Sequence, residues 1–139
     1  MGAMKPPTVV ELVWEHDLVF GGTAGAATMT LDSASSEGPS PVQALCFALA
    51  GCMAMDVVHI VKKGRHDLKG LKVNLTAQRA EEDPRRVTSV DLKYTITGNV
   101  PKDQIQRAID LSRDKYCSVW HSLRPDITLE ISFTVTTGV

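Results

Sequence analysis

Several patterns that would announce a chemistry are missing from this chain. It has no CxxC, HxxxH or HExxH motif, so no common zinc-site spacing is present. Gly21-Gly22 leads into no GK[ST] or GxGxxG pattern, which leaves no glycine-rich loop to cradle a phosphate. The basic residues form no stripe. Apart from Lys62, Lys63, Arg65 and the pair Arg85-Arg86 they are scattered, and the formal net charge is -1. A nucleic-acid footprint needs a basic face, so no nucleic-acid partner is expected. Three cysteines are an odd number. That argues against a disulfide framework and for free or transiently paired thiols in a reducing compartment, here taken as the cytoplasm. The most apolar run, Pro41 to Met55, is shorter than the ~20 residues that span a bilayer, and Asp56 closes it. A buried helix is expected there, and no membrane partner. The opening MGAMKPPT has no apolar stretch and does not read as a signal peptide. Gly2-Ala3-Met4 reads as a cloning remnant, within a disordered N-terminus over residues 1–7.

What is present is an ordinary globular composition, 43% hydrophobic and 22% charged over 139 residues. That length suits one domain, expected over residues 8–139, and it can bury a core without disulfide or metal staples. Thr8 to His16 is valine-rich and suits a strand. Asp17 to Gly22 reads as the way into a turn, Ala26 to Leu31 as a return strand, and Ser33 to Gly38 as a polar loop. The next element is a helix with marked ends. Ser40 is its N-cap, Pro41 its first residue, and Gln43 completes a capping box. Lys62 and Lys63 suit the negative end of the helix dipole, and Gly64 stops the helix. About 24 residues would span roughly 36 Å. The first half, PVQALCFALAGCMAM, is apolar nearly all round, so a second copy of the chain is expected to help cover it.

A hairpin follows. Leu71, Val73, Leu75 and Ala77 alternate with polar residues, as do Val90, Leu92, Tyr94 and Ile96, with Glu81 to Arg86 as the connecting turn. Pro101 opens a second, amphipathic helix with Ile105, Ala108, Ile109 and Ser112 on one face. A last strand alternates Ile127, Leu129, Ile131, Phe133 and Val135 with polar residues. The fold class is α+β, an antiparallel sheet packed on a long buried central helix and a second amphipathic helix.

The residues able to carry chemistry are few. Cys52 sits mid-helix beside Gly51, which costs about 1 kcal/mol against alanine in a helix interior and is there if something packs close to the thiol. Taken alone, Cys52 reads either as a small buried hydrophobe or as a reactive thiol. The same two readings apply to Cys117, in DKYCSVWHSL near the end of the second helix. Cys46 lies six residues before Cys52, a rotation of about 240°, and reads as core. Asp56 and His59 share a helix face with Cys52, and Cys117 and His121 are four apart if their helix continues. A Cys/His/Asp metal site is conceivable on that basis, but residues four apart on a helix are common by chance, and no metal or cofactor is assigned.

GPSPVQALCFALAGCMAMDVV resembles the central-helix motif of the OsmC/Ohr family, the osmotically inducible and organic-hydroperoxide-resistance proteins, and DKYCSVWHSL resembles the family's second cysteine motif. The order and separation of the motifs match, and the likeness runs from about Thr8 onward. IDLSRDKYCSV is more similar to the OsmC-like branch than to the hydroperoxide-resistance branch. The resemblance implies an intertwined homodimer with two active sites at the interface. It implies that Cys52 is the peroxidatic residue and Cys117 the resolving one, in a thiol-dependent peroxidase that acts on organic hydroperoxides during oxidative stress and is recycled by an external dithiol. The likeness stops at one point. Peroxidase branches of the family place an activating arginine in the N-terminal strands and an orienting glutamate near the start of the central helix. This chain has no arginine before Arg65, and Val42 stands at the glutamate position with Gln43 beside it. Arg79 and Arg124 are the substitute cations to consider. The departure implies an alternative: a non-peroxidase relative that binds a small apolar or electrophilic ligand in the interface pocket.

Overall fold

A computed structural model describes residues 5–137. The expected cloning remnant lies outside the described residues. Contacts divide the chain into two compact units, Met1–Leu45 and Cys46–Val139.

The first unit is an antiparallel meander of β1 (Glu11–His16), β2 (Val19–Ala24) and β3 (Ala27–Asp32), in that order. The expected turn over Asp17 to Gly22 is a correction. Only Asp17 and Leu18 turn, and from Val19 the chain already pairs with its neighbours. Asp17 takes a positive φ of 45°, which reverses the strand within two residues. Gly22 serves close approach rather than pliability. A Cβ there would lie 3.0 Å from the Met29 carbonyl oxygen and 3.0 Å from Leu12 Cδ2, so a glycine lets three strands pack tightly. The polar loop after β3 is tied down by Asp32. Its buried carboxylate accepts from the backbone N–H groups of Ala34 (2.8 Å), Ser36 (3.2 Å) and Glu37 (2.9 Å). These bonds stabilise the ionised carboxylate and lower its pKa below the usual value.

Helix α1 (Pro41–Lys63) starts where its cap dictates. The Gln43 N–H donates to Ser40 Oγ (3.2 Å), and the Ser40 N–H donates to Gln43 Oε1 (2.9 Å), a reciprocal capping box. In the second unit, Leu49, Met53, Val57 and Val61 form a single i, i+4 ridge that is fully buried. The ridge joins one core with Val90, Leu92, Tyr94 and Ile96 of β5, with Ile105, Ala108 and Ile109 of α2, and with Cys117.

β4 (Asp67–Arg79) and β5 (Val87–Asn99) form the expected hairpin. β6 (Thr128–Thr136) then pairs with β5 in parallel, so this sheet is mixed rather than wholly antiparallel. The chain reaches it by crossing through α2 (Lys102–Leu111), and a helical crossover is what a parallel pairing requires. With helices and two three-stranded sheets, the class is α+β.

The second helix does not continue through Cys117. It ends in a π-helical turn, Ser112–Tyr116. Cys117 then adopts an extended backbone (φ -73°, ψ 100°) and caps a new short helix, α3 (Ser118–His121). The wide turn takes Cys117 out of the helical path of α2 and leaves it fully buried in the core. A π-bulge of this kind recurs at functional sites.

Candidate active site

Two helices deliver the reactive groups. Cys52 and Asp56 stand one turn apart on α1, and Cys117 opens α3. The two Sγ atoms and a carboxylate oxygen of Asp56 all lie within 4.8 Å of one another. The sulfurs are therefore adjacent though 65 residues separate them in sequence, and all three cysteines are free thiols. Closing to a disulfide bond of ~2.05 Å needs a local shift and no rearrangement of the fold.

The two thiols differ in setting. Cys52 is partly exposed, whereas Cys117 has no exposed surface. Burial, with a smaller contribution from the facing Cys52, pushes the Cys117 thiol up to about 11. The Trp120 N–H, donating to Cys117 Sγ at 3.3 Å, pulls the other way and is outweighed. Cys117 is therefore a protonated thiol at neutral pH.

Three polar groups surround the pair. Ser112 Oγ, fully buried, donates to Asp56 Oδ2 at 2.8 Å and fixes that carboxylate. Tyr94 projects from β5 with 1% exposure, and its hydroxyl is buried without a hydrogen-bond partner. Burial raises the pKa of this phenol well above its ordinary value, and the negative charge of Asp56 and of a deprotonated Cys117 acts in the same direction. Asp56 also lines a cavity of about 640 Å³ with His59, Lys63, His66, Arg107 and Tyr116. A cavity of that size falls in the range of small-molecule sites.

Cys46 lies apart from the trio. It is half-buried, and burial pushes its thiol pKa up, with the Arg79 charge opposing only in part. Arg124 is held by Asp126 through Nε (3.0 Å) and Nη2 (2.8 Å). The conceivable metal trio of Cys52, Asp56 and His59 is also corrected. His59 is exposed and faces the cavity, and the third member of the cluster is Cys117. Cys117 and His121 do not stack as i, i+4 partners inside one long helix, because that helix breaks before Cys117. Sequence reasoning placed Ser112 and Tyr94 only on core faces. The available signal was that each is a hydroxyl at a buried position of an alternating or helical pattern, where a polar group needs a partner.

Comparison with known proteins gives a consistent picture. The family model described as OsmC-like protein matches residues 33–132. Protein YhfA of Escherichia coli K12 is 39% identical over 125 residues, covering 88% of this chain and 93% of YhfA. Among solved structures, a hypothetical protein from Aquifex aeolicus VF5 superposes with a TM-score of 0.88 at 30% identity, covering 95% of this chain and 98% of that one. The organic hydroperoxide resistance protein OhrB of Bacillus subtilis shares the fold at a TM-score of 0.64 and 13% identity, with 92% and 98% coverage.

Proposed function

Because this chain belongs to the OsmC-like protein family, we propose that it is a cytoplasmic, homodimeric thiol peroxidase that reduces organic hydroperoxides through Cys52 and Cys117. The observation that carries the reading is the proximity of two free sulfurs, one partly exposed and one buried. Their roles follow from that asymmetry. The Cys52 thiolate attacks the O–O bond of a hydroperoxide, the alcohol leaves after taking a proton, and a sulfenic acid remains on Cys52. Cys117, kept as a thiol by its burial, condenses with the sulfenic acid, forming the disulfide and releasing water. An external dithiol then reduces the disulfide by two thiolate exchanges and leaves as its own cyclic disulfide. Oxidative-stress defence is the role this chemistry serves, and a reducing cytoplasm supplies the dithiol.

The test is peroxide consumption. Reduced protein with dithiothreitol should consume cumene hydroperoxide catalytically, and oxidation should leave one intrachain disulfide in the peptide map. Cys52→Ser should abolish turnover. Cys117→Ser should stop the catalytic cycle after one oxidation, with sulfenic acid trapped by dimedone. Wild-type protein that leaves the peroxide untouched would remove the enzyme reading.

A second reading has its own support. The charged neighbour of the thiols is Asp56, while Arg124 is engaged by Asp126 and Arg79 lies by Cys46. A thiolate is activated by a nearby cation or helix N-terminus, and a carboxylate does the opposite. On this reading the protein binds a small apolar or electrophilic ligand in a pocket at the dimer interface, with the thiols as anchor or sensor. Stoichiometric alkylation of Cys52 by a small electrophile, without any peroxide turnover, is the outcome that would select it.

A further inference from the structure

Cys52, Asp56 and Cys117 present two sulfurs and one carboxylate oxygen within 4.8 Å, converging from two helices. We propose that in the reduced protein these three side chains bind a zinc ion, and that zinc binding and disulfide formation exclude one another. This goes beyond the peroxidase reading and stands whether or not the protein turns over peroxide. It also departs from the sequence-based expectation that the chain carries no metal.

The donor set selects the ion. Thiolate sulfur favours zinc over magnesium or calcium, and a tetrahedral zinc held at about 2.3 Å by sulfur and 2.0–2.2 Å by oxygen brings its donors to roughly 3.5–3.8 Å from one another. The donors, all within 4.8 Å of one another, must close by about an ångström, a change that rotation of the partly exposed Cys52 side chain can supply. The surroundings are those of a supported site. Ser112 orients Asp56 through a 2.8 Å bond, the role a positioning hydrogen bond plays behind a metal ligand. Three protein donors leave the fourth position to water, as in zinc sites that are not purely structural. The Tyr94 hydroxyl, buried and unpartnered in the same core as Cys117, is the polar group free to bond that water.

Binding is proton exchange, not redox. Zinc displaces the protons of both thiols, two leave to solvent, and the ion is held by two thiolates and one carboxylate. If a hydroperoxide oxidises the loaded site, both thiolate electron pairs are drawn on. The sulfurs join, the O–O bond breaks to give alcohol and water with two protons taken from solvent, and zinc is released because a disulfide is no ligand for it.

The experiment uses the chelator-treated, fully reduced protein, titrated with Zn²⁺ alone by calorimetry and with Co²⁺ as a spectroscopic substitute. The expected result is one ion per chain, release of about two protons per ion, and for Co²⁺ an intense thiolate charge-transfer band with the visible bands of a tetrahedral site. Asp56→Asn should weaken binding at least tenfold and Ser112→Ala several-fold. Wild-type protein alkylated at Cys52, which needs no substitution and therefore no refolding, should bind no ion at this site. The proposal is overturned if Co²⁺ gives no charge-transfer band, or if alkylation leaves the stoichiometry at one. It is also overturned if Asp56→Asn folds and binds as tightly as wild type. None of these readouts involves peroxide, so failure here and failure of the peroxidase reading are distinguishable.

Discussion

Cys117 owes its character to where the chain turns before it. A cysteine one position further along a regular α2 would sit on a helix face. The π-helical turn over Ser112–Tyr116 instead leaves it buried at the head of α3, with the Trp120 N–H on its sulfur. Burial then keeps its proton on, raising the thiol to about 11 from an ordinary value near 9. The consequence for stability has a definite sign. A folded state that holds a proton more tightly than the unfolded chain is favoured fully below the unfolded value, and that advantage is lost as pH rises through the folded one. We expect the difference in urea midpoint between wild type and Cys117→Ser to be constant up to about pH 9 and to shrink between pH 9 and 11. A difference that stays flat across that window would show that Cys117 is not held protonated by its surroundings. Tyr94 belongs to the same account, since it sits in a dry setting where an extra charge on Cys117 would be felt.

At the scale of elements, the start of α1 is where local chemistry has most effect on the site, because that helix carries both Cys52 and Asp56. The Ser40–Gln43 box satisfies two backbone donors that the helix cannot bond itself. Ser40→Ala should lower unfolding stability by about 1 kcal/mol, read as a shift in urea midpoint at unchanged slope. A loss below a few tenths would mean that tertiary packing alone sets the helix start. This helix was legible from sequence because Ser40, Pro41, Gln43 and Gly64 are all local signals, and the observed Pro41–Lys63 agrees. The hairpin was legible for the same reason: alternation at Leu71 to Ala77 and Val90 to Ile96 is a local pattern. Strand β2 was not, because Gly21 and Gly22 imitate a turn, whereas Gly22 is there for the close approach of the Met29 carbonyl and the Leu12 side chain of the neighbouring strands. The break before Cys117 was likewise hidden, since a π-turn depends on how α2 meets the core and no residue type marks it. Of the site, the two cysteines could be named from their motifs. Ser112 and Tyr94 could not, because their approach to Asp56 and Cys117 is a tertiary fact.

For the whole molecule, the unresolved debt is apolar surface. In the first unit Val10, Leu12, Val13 and Trp14 are each at least half exposed, and every residue of β1 is open. In the second, Phe47 is 68% and Met55 73% exposed on a helix whose opposite ridge is fully buried. By length and composition α1 could cross a membrane. The buried Leu49–Met53–Val57–Val61 ridge, however, makes it the core helix of an OsmC-like fold. Large apolar side chains exposed in both units mark interaction surface, and a second copy of the same chain, meeting it by two-fold symmetry, is the simplest occupant. Phe47 is the residue on which to test this, because little of it contributes to the core. Sedimentation velocity at micromolar concentration should give wild type a mass about twice that of the 15.1 kDa chain, since an obligate interface binds well below that range. Phe47→Glu should shift the protein towards a single chain with an unchanged far-ultraviolet spectrum. A wild type that sediments as one chain at every concentration would leave these side chains in water and remove the homodimer from the proposed function.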